Sequence, residues 1–362
     1  MLSRYGQRIV NFYATKCNTS NYNHVSNDLS NIKNIYNLKY GLNPTNYNAG
    51  YFFKGPKTFE VLNGNLSYIN VLDAMLGWNL VNEVKTELEM DTCASYKHNA
   101  PAGVSCLGET PCNIIKSARN CDSLSSFGDF ISYSGKLDSE SASYLKTQVS
   151  DGIIANDYTD DAIDILTKKK KGSYIILKGY YTSDNNDNND NNDNNDNNNN
   201  NNNDNNDNIE TRDHFGVTLY QSKDTSSLPN IDYLYEPKRI DALLGWITLK
   251  YTPSNSVNFT YNKQVVGIGS GQQNRVACIH LAGDKCNTWN IKQKEINEGF
   301  DPLYTMCSDG FLPFRDNIEA AEKYPINLIL QPGGSIRDEE IEEYANYQGI
   351  DMIYTNQRAF YH

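Results

Sequence analysis

Lys97-His98-Asn99-Ala100-Pro101-Ala102-Gly103 begins where a short apolar run, Thr92-Cys93-Ala94-Ser95-Tyr96, gives out. That run has the make-up of a buried strand. Pro101 fixes its own φ and biases Ala100 away from helix, and Gly103 tolerates close backbone approach, so Pro101-Ala102-Gly103 is expected to be a turn. Lys97 and His98 then fall at a strand end, where alternation of faces relaxes and an ammonium and an imidazole can share one small volume. Histidine exchanges a proton near neutral pH, and a compact ammonium stabilises developing negative charge. On these two letters alone a solvated strand end is the commoner outcome, and the surrounding chain has to decide.

Working outward, residues 38–44 read as a strand end and turn in which Lys39 and Tyr40 could meet a phosphate with a charge and a hydroxyl, or simply be an exposed Lys and a packed Tyr. Residues 58–62 read as a strand. Residues 70–90 carry Leu72, Met75, Leu76, Leu80, Val84 and Leu88 at three- and four-residue spacing, the pattern of an amphipathic helix whose apolar stripe is core. Ser125-Ser126-Phe127-Gly128-Asp129 is a small-residue turn open to a ligand at Gly128, and Ser150-Asp151-Gly152 is a turn whose Asp151 could accept from ribose hydroxyls or an amide. Residues 162–171 form a helix ending in lysines that complement its dipole and are expected to be solvated.

Asp241-Ala242-Leu243-Leu244-Gly245-Trp246 repeats Asp73-Ala74-Met75-Leu76-Gly77-Trp78 almost letter for letter. Both copies read as helical and lead toward polar strand positions, Lys97-His98 in one case and Thr252-Pro253-Ser254-Asn255-Ser256 in the other, which points to two related α/β units. Alternating hydroxyls at Thr252, Ser254 and Ser256 suit a monovalent cation, although solvated strand polarity is the simpler account. Further on, Gly267-Ile268-Gly269-Ser270-Gly271 lacks the spacing of a dinucleotide fingerprint but lets Arg275 and a helix start pack closely. Residues 311–317 form an aromatic turn, and Pro332-Gly333-Gly334-Ser335 precedes an acidic helix with its N–H groups free for a ligand.

The 362 residues suffice for two domains. Residues 184–208 contain only Asn and Asp, and without their seven aspartates the net charge is −5 instead of −12, so the acidity implies no basic partner. Strands at 173–181 and 215–221 flank this tract, which is expected to be a disordered insertion in a hairpin-like connection, tolerated because loop-closure cost grows slowly with length. The eight cysteines form no C-x-x-C pair and read as small core residues, giving a zinc site little support. No run approaches a membrane span, the lysine run is not a nucleic-acid patch, and reduced cysteines without a secretory signal point to the cytoplasm. Residues 1–35, aperiodic apart from a short helix at 5–13, form an N-terminal extension.

In order along residues 38–362, the stretches KYGLNP, VLNG, KHNAPAG, SSFGDF, VSDGIIA, KYTPSNSV, GIGSGQQNRV, LAGDK, FLPFRDN, QPGGS and TNQRAF resemble the AICAR transformylase half of the bifunctional purine-biosynthesis family that also carries IMP cyclohydrolase. The resemblance implies an α/β fold of two cytidine-deaminase-like three-layer units with mixed sheets and no zinc site, at 36–235 (with the insertion at 183–208) and 236–362. It implies formyl transfer from 10-formyltetrahydrofolate to the 5-amino group of AICAR, without a catalytic metal, in a homodimer whose active sites lie between subunits. Carried over by position, the general base is His98 and the oxyanion stabiliser Lys97. AICAR would meet Lys39, Tyr40, Gly128, Asp151, Asn255, Arg275, Phe311 and Arg358, and the folate Val276, Asp316, Ser335 and Ile336.

Two departures stand out. Lys39 occupies a position where the family usually has Arg, turning a bidentate phosphate fork into a point charge about 1 kcal/mol weaker, and Thr45-Asn46 replace the usual His-Gln. Nothing before residue 38 has the length of a cyclohydrolase domain, so ring closure is expected of another polypeptide. The rival readings are a non-catalytic subunit that binds AICAR or folate, opposed by the Lys97-His98 pair, and a zinc-dependent nucleoside deaminase, opposed by the missing ligands.

Overall fold

The structure, a computed structural model, describes residues 34–46, 48–181, 209–214, 217–222 and 227–362. The short helix expected at 5–13 and the Asn/Asp insertion at 183–208 lie outside the described residues, as does all but the end of the N-terminal extension. Strands β1 (Tyr36–Asn37) and β2 (Gly50–Tyr51) pair with each other, and β3 (Phe59–Asn63) leads to helix α1 (Tyr68–Leu88). Ser67 starts α1 through a capping box: its Oγ accepts the Asn70 N–H, and the Asn70 side chain accepts the Ser67 N–H. Then come β4 (Cys93–Lys97), β5 (Ala100–Ser105), α2 (Pro111–Cys121), β6 (Asp129–Leu137), α3 (Ser139–Thr147), β7 (Ser150–Tyr158), α4 (Asp160–Leu166) and β8 (Ile175–Gly179). Strands β9 (Ile209–His214) and β10 (Val217–Ser222) make a separate hairpin. The chain continues through α5 (Glu236–Lys250), β11 (Val257–Tyr261), β12 (Gln264–Gly269), α6 (Arg275–Ile296), β13 (Tyr304–Ser308), α7 (Arg315–Ala321), β14 (Ile326–Gln331), α8 (Asp338–Tyr347) and β15 (Asp351–Tyr354).

Eleven strands form one mixed sheet in the order β15-β14-β13-β11-β12-β5-β4-β6-β7-β8-β3. One element order occurs twice along it: a helix, an antiparallel hairpin, a helix, then three parallel strands with helical crossovers. The first pass runs α1 to β8 and the second α5 to β15. The passes meet edge to edge where β5 and β12 pair antiparallel at Ser105–Gln264 and Val104–Val265. Alternation divides the strand residues between two helical layers. Ala94, Tyr96, Phe130 and Ile154 face α1 and α5, whereas Cys93, Ile131, Tyr133 and Ile153 face α2, α3 and α4. All seven described cysteines are buried and free. Among the described residues no helix is long and apolar enough to cross a membrane.

Several local expectations need correction. Pro101-Ala102-Gly103 is strand, not turn: β12 pairs with β5 only at Val104 and Ser105, so no neighbour there requires the N–H that Pro101 lacks. The strands at 173–181 and 215–221 do not pair. β8 lies inside the large sheet, and β10 pairs with β9. Of the expected apolar stripe Leu80 and Val84 are fully buried, but Leu72, Met75, Leu76 and Leu88 are only half-buried. The cause is that α1 is covered by the sheet on one side and by α5 on another, which adds Ala74, Gly77, Trp78 and Val81 to its buried face. Residues 252–256 precede β11 instead of lying on it, and Thr252 and Ser256 are fully buried instead of solvated.

The six-residue echo has a packing cause. Gly77 presses α1 onto the sheet where an added Cβ would collide with Ser132 Oγ and approach the Tyr96 ring to 3.0 Å. Gly245 does the same for α5, with Cys307 Sγ and Asn258 Oδ1 at 2.7 and 2.9 Å from such a Cβ. Trp78 and Trp246 fill the space beside each contact, both buried. Although alanine favours a helix over glycine by about 1 kcal/mol, overpacking at these positions outweighs it. Gly77→Ala and Gly245→Ala are each expected to lower the unfolding free energy by about 1–3 kcal/mol in urea titrations; unchanged midpoints would contradict this packing account.

Candidate active site

Strand direction decides where the candidate residues gather. The end of β4 lies beside the starts of β6 and β7, so Lys97, His98, Gly128 and Asp151 occupy one rim of the sheet. Because β12 runs antiparallel to β5, that same rim holds the end of β12, the start of β11 and the ends of β13, β14 and β15. Asn255, Arg275, Phe311, Ser335 and Arg358 follow or precede those strand ends. Nearly all the candidates therefore line one edge, contributed by both passes of the fold.

In the first pass, His98 and Asn99 are the two turn residues of the β4–β5 hairpin, both left-handed (φ 57° and 62°). His98 is exposed at the tip and Lys97 half-buried behind it. Lys97 Nζ donates to the Phe127 carbonyl at 2.7 Å, and Gly128 (φ 83°) follows directly. This loop is held from below by a buried ion pair. Arg119 Nε donates to Asp129 Oδ2 at 2.9 Å, and its Nη2 donates to the carbonyls of Ser126 (2.7 Å) and Val149 (3.1 Å). Ser95 Oγ adds a bond to Asp129 at 2.7 Å. Burial pushes the Asp129 carboxyl up, and Arg119 opposes that shift.

Asp151 is exposed and pairs with Lys170 Nζ at 2.8 Å. The Lys39 N–H donates to the Leu66 carbonyl (2.8 Å), and the Tyr68 N–H to the Tyr40 carbonyl (3.2 Å), which ties Lys39 and Tyr40 to the start of α1. The lysine run is not uniformly solvated, contrary to expectation. Lys169 is buried, donating to Leu145 O and Ser150 Oγ at 2.7 Å each, 4.1 Å from the Tyr174 ring centre. Burial draws its ammonium down to about 8.

In the second pass Asp309, fully buried, organises the cluster. It forms an ion pair with Arg275 and accepts Ser254 Oγ–H (2.6 Å) and the Ser256 N–H (2.9 Å). Arg275 also donates to Asn255 Oδ1 at 2.7 Å. The Arg358 guanidinium sits 5.7 and 5.6 Å from the rings of Phe311 and Phe360. The polar-aromatic tail is tied down, since the Tyr361 N–H donates to Ser254 Oγ and the Ala359 N–H to the Asp309 carbonyl.

Val276 is half-buried at the start of α6, while Asp316 and Ile336 are exposed. The N–H groups of Gly334 and Ser335 are not free as expected, because both donate to Asp338 Oδ2 (2.7 and 3.1 Å). A recess of about 160 Å³ opens between Pro332, Gly333, Gly334, Asn356, Gln357 and Arg358. Ligand sites usually span about 300–1,000 Å³, so this recess holds part of a ligand at most. Among the described residues, no three His, Cys, Asp or Glu side chains cluster as metal ligands.

Sequence reasoning missed Asp309, Lys170 and Phe360. Asp309 lies in Ser308-Asp309-Gly310, which reads as an ordinary turn; only the tertiary fold reveals that Arg275 needs a buried partner there. Along the rim stand the His98 imidazole, the Lys97 ammonium with two further donor protons beside a Gly128 backbone open to approach, the Arg275 guanidinium held by Asp309 and Asn255, and the Arg358 guanidinium between Phe311 and Phe360.

A family model described as AICARFT/IMPCHase bienzyme matches residues 1–285. Similar curated proteins are the bifunctional purine biosynthesis proteins PurH of Persephonella marina (32% identical over 90% of this chain and 59% of that protein), Clostridium acetobutylicum (32%, 91% and 60%) and Prochlorococcus marinus subsp. pastoris (34%, 91% and 60%). The chain thus spans about 60% of the length of the curated relatives it matches.

Removing the guanidinium beneath the 122–128 loop strands a buried carboxylate, so Arg119→Leu is expected to cost about 3–5 kcal/mol by chemical denaturation; a loss below about 1 kcal/mol would contradict the role given to this pair. Lys169 supplies a pH signature. Its ammonium loses its proton near 8 when folded and near 10.5 when unfolded, so the unfolded chain binds more protons in that window. Wild-type stability relative to Lys169→Met should therefore rise between pH 8 and 10.5 and stay flat below 8; a fall across that window would refute the assignment.

Proposed function

This chain belongs to the AICARFT/IMPCHase bienzyme family, and on that premise we propose that it catalyses formyl transfer from 10-formyltetrahydrofolate to the 5-amino group of AICAR, yielding formyl-AICAR. The observation that carries this reading is the placement of Lys97 and His98 at a hairpin tip on the sheet rim, with Lys97 braced on the Phe127 carbonyl beside Gly128. The 5-amine is a weak nucleophile because the neighbouring carboxamide withdraws its electrons. It must lose a proton as its nitrogen bonds to the formyl carbon, and His98 takes that proton. The formyl oxygen gains negative charge in the same step, and Lys97 donates to it with a proton not engaged by Phe127. Collapse of the tetrahedral adduct breaks the bond to folate N10, which leaves with a proton returned by the imidazolium.

Lys39, Tyr40, Gly128, Asp151, Asn255, Arg275, Phe311 and Arg358 hold AICAR in this reading: the cations meet its phosphate and carboxamide, Phe311 its ring. Val276, Asp316, Ser335 and Ile336 receive the folate. The twice-occurring element order supports a description as two cytidine-deaminase-like units. Leu124, Phe127 and Val149 form an exposed apolar patch beside Lys97, which supports completion of the site by a second copy in a homodimer. The free cysteines suit a reducing compartment such as the cytoplasm.

The test is formyl transfer by the purified chain, with the product identified by mass. Replacing a positioned base costs about 10²–10⁴-fold, so His98→Ala should lose at least that factor in kcat while retaining AICAR binding by calorimetry. Full turnover in that variant would refute His98 as the base, and absence of formyl-AICAR with the wild-type chain would refute the activity.

A further inference from the structure

We propose that Asp73 is the positioning residue of the Lys97-His98 pair: its buried carboxylate accepts the Asn99 N–H and so holds the left-handed turn that presents His98 to the rim. The inference rests on the formyl-transfer reading for its consequence, but its geometry stands by itself. His98 and Asn99 both have positive φ, and neither is glycine. Left-handed backbone costs an L-residue about 1–2 kcal/mol, so two in succession need compensation. Asp73, 5% exposed on α1, supplies it with a bond of 2.7 Å from Asn99 N to its Oδ1. A bond to an ionised acceptor is stronger than a neutral one, especially away from water. Burial pushes the Asp73 carboxyl up to about 6, against the opposing pull of the Asn99 N–H. The Asn99 side-chain oxygen is buried with no hydrogen-bond partner among the described residues, so it does not hold the turn in place of Asp73.

The echo contains an internal control. Asp241, the matching residue on α5, accepts the N–H groups of Asn262 (2.9 Å) and Lys263 (2.7 Å), again two consecutive left-handed residues at a hairpin turn. Strand direction puts this second turn on the opposite rim, where Lys263 O accepts the Cys106 N–H. The carboxylate–turn unit therefore recurs as part of the fold, and only the first copy carries a histidine at the candidate site.

Three variants of the full chain separate positioning from general stability: Asp73→Ala, Asp241→Ala, and Asp73→Ala combined with Asn99→Gly. Losing one charge-assisted bond predicts about a tenfold or greater fall in kcat for Asp73→Ala with little change in KM for AICAR. Asp241→Ala should lower Tm comparably and leave kcat near wild type. Glycine adopts the left-handed turn without a Cβ penalty, so Asn99→Gly should restore most of the lost kcat. Unchanged kcat in Asp73→Ala, an equal kcat loss in Asp241→Ala, or no rescue by Asn99→Gly would each overturn the proposal. Hydrogen exchange at the Asn99 amide gives a readout independent of activity, and in the milder Asp73→Asn variant should Asp73→Ala not fold. Exchange at least tenfold faster than wild type supports the positioning contact, and unchanged exchange overturns it. Were the wild-type chain to show no formyl transfer while exchange still accelerated, the functional reading would fall and the positioning contact would stand.

Discussion

A carboxylate buried beneath a tight turn is the contact on which the candidate site depends. Hairpins of two left-handed residues are usually built with glycine, which has no Cβ to crowd the next carbonyl. Here the turn is His98-Asn99, and the strain is offset from below by Asp73 on the helix that also packs against the sheet through Gly77 and Trp78. Histidine and asparagine can thus occupy positions whose backbone would prefer glycine. In both passes the aspartate of the six-residue echo holds a hairpin turn and the glycine brings the helix onto the sheet, while Trp78 packs on β8 at Gly179 and Trp246 joins the cluster with Leu328 and Leu330.

The antiparallel junction of β5 with β12 then determines which groups meet. It turns the second pass end over end relative to the first, so the starts of β6 and β7 share a rim with the ends of β13, β14 and β15, and the β4–β5 turn and the end of β12 lie between them. Lys97, His98 and Gly128 come from the first pass, and Asn255, Arg275 and Arg358 from the second. Each set is braced by a buried ion pair, Arg119–Asp129 in one and Arg275–Asp309 in the other. Such pairs add little net stability over apolar packing, yet losing one partner is costly, which makes them suited to fixing geometry.

Much of this was legible in the sequence. The apolar runs that become β4, β7 and β14 and the two helices of the echo are visible because burial on both faces demands unbroken apolar stretches. The candidate catalytic pair was visible through motif order. What escaped depended on neighbours distant in the chain. Pro101 reads as a turn former unless one knows that β12 leaves its edge of β5 unpaired. Lys169 and Lys170 read alike, although one is buried against Tyr174 and the other reaches Asp151. The echo signalled a repeated element order but not what its aspartate does, since its partner N–H groups lie 21 to 26 residues further on and carry no side-chain signature.

The most direct measurement of the central claim is a crystal structure of this protein with AICAR bound. The account predicts the nucleotide on the sheet rim, its 5-amino group within hydrogen-bond reach of a His98 imidazole and its remaining polar groups on Arg275, Asn255 or Arg358, from the same or a second copy of the chain. AICAR seated away from that rim, or contacting neither hairpin tip nor the Arg275 cluster, would contradict it.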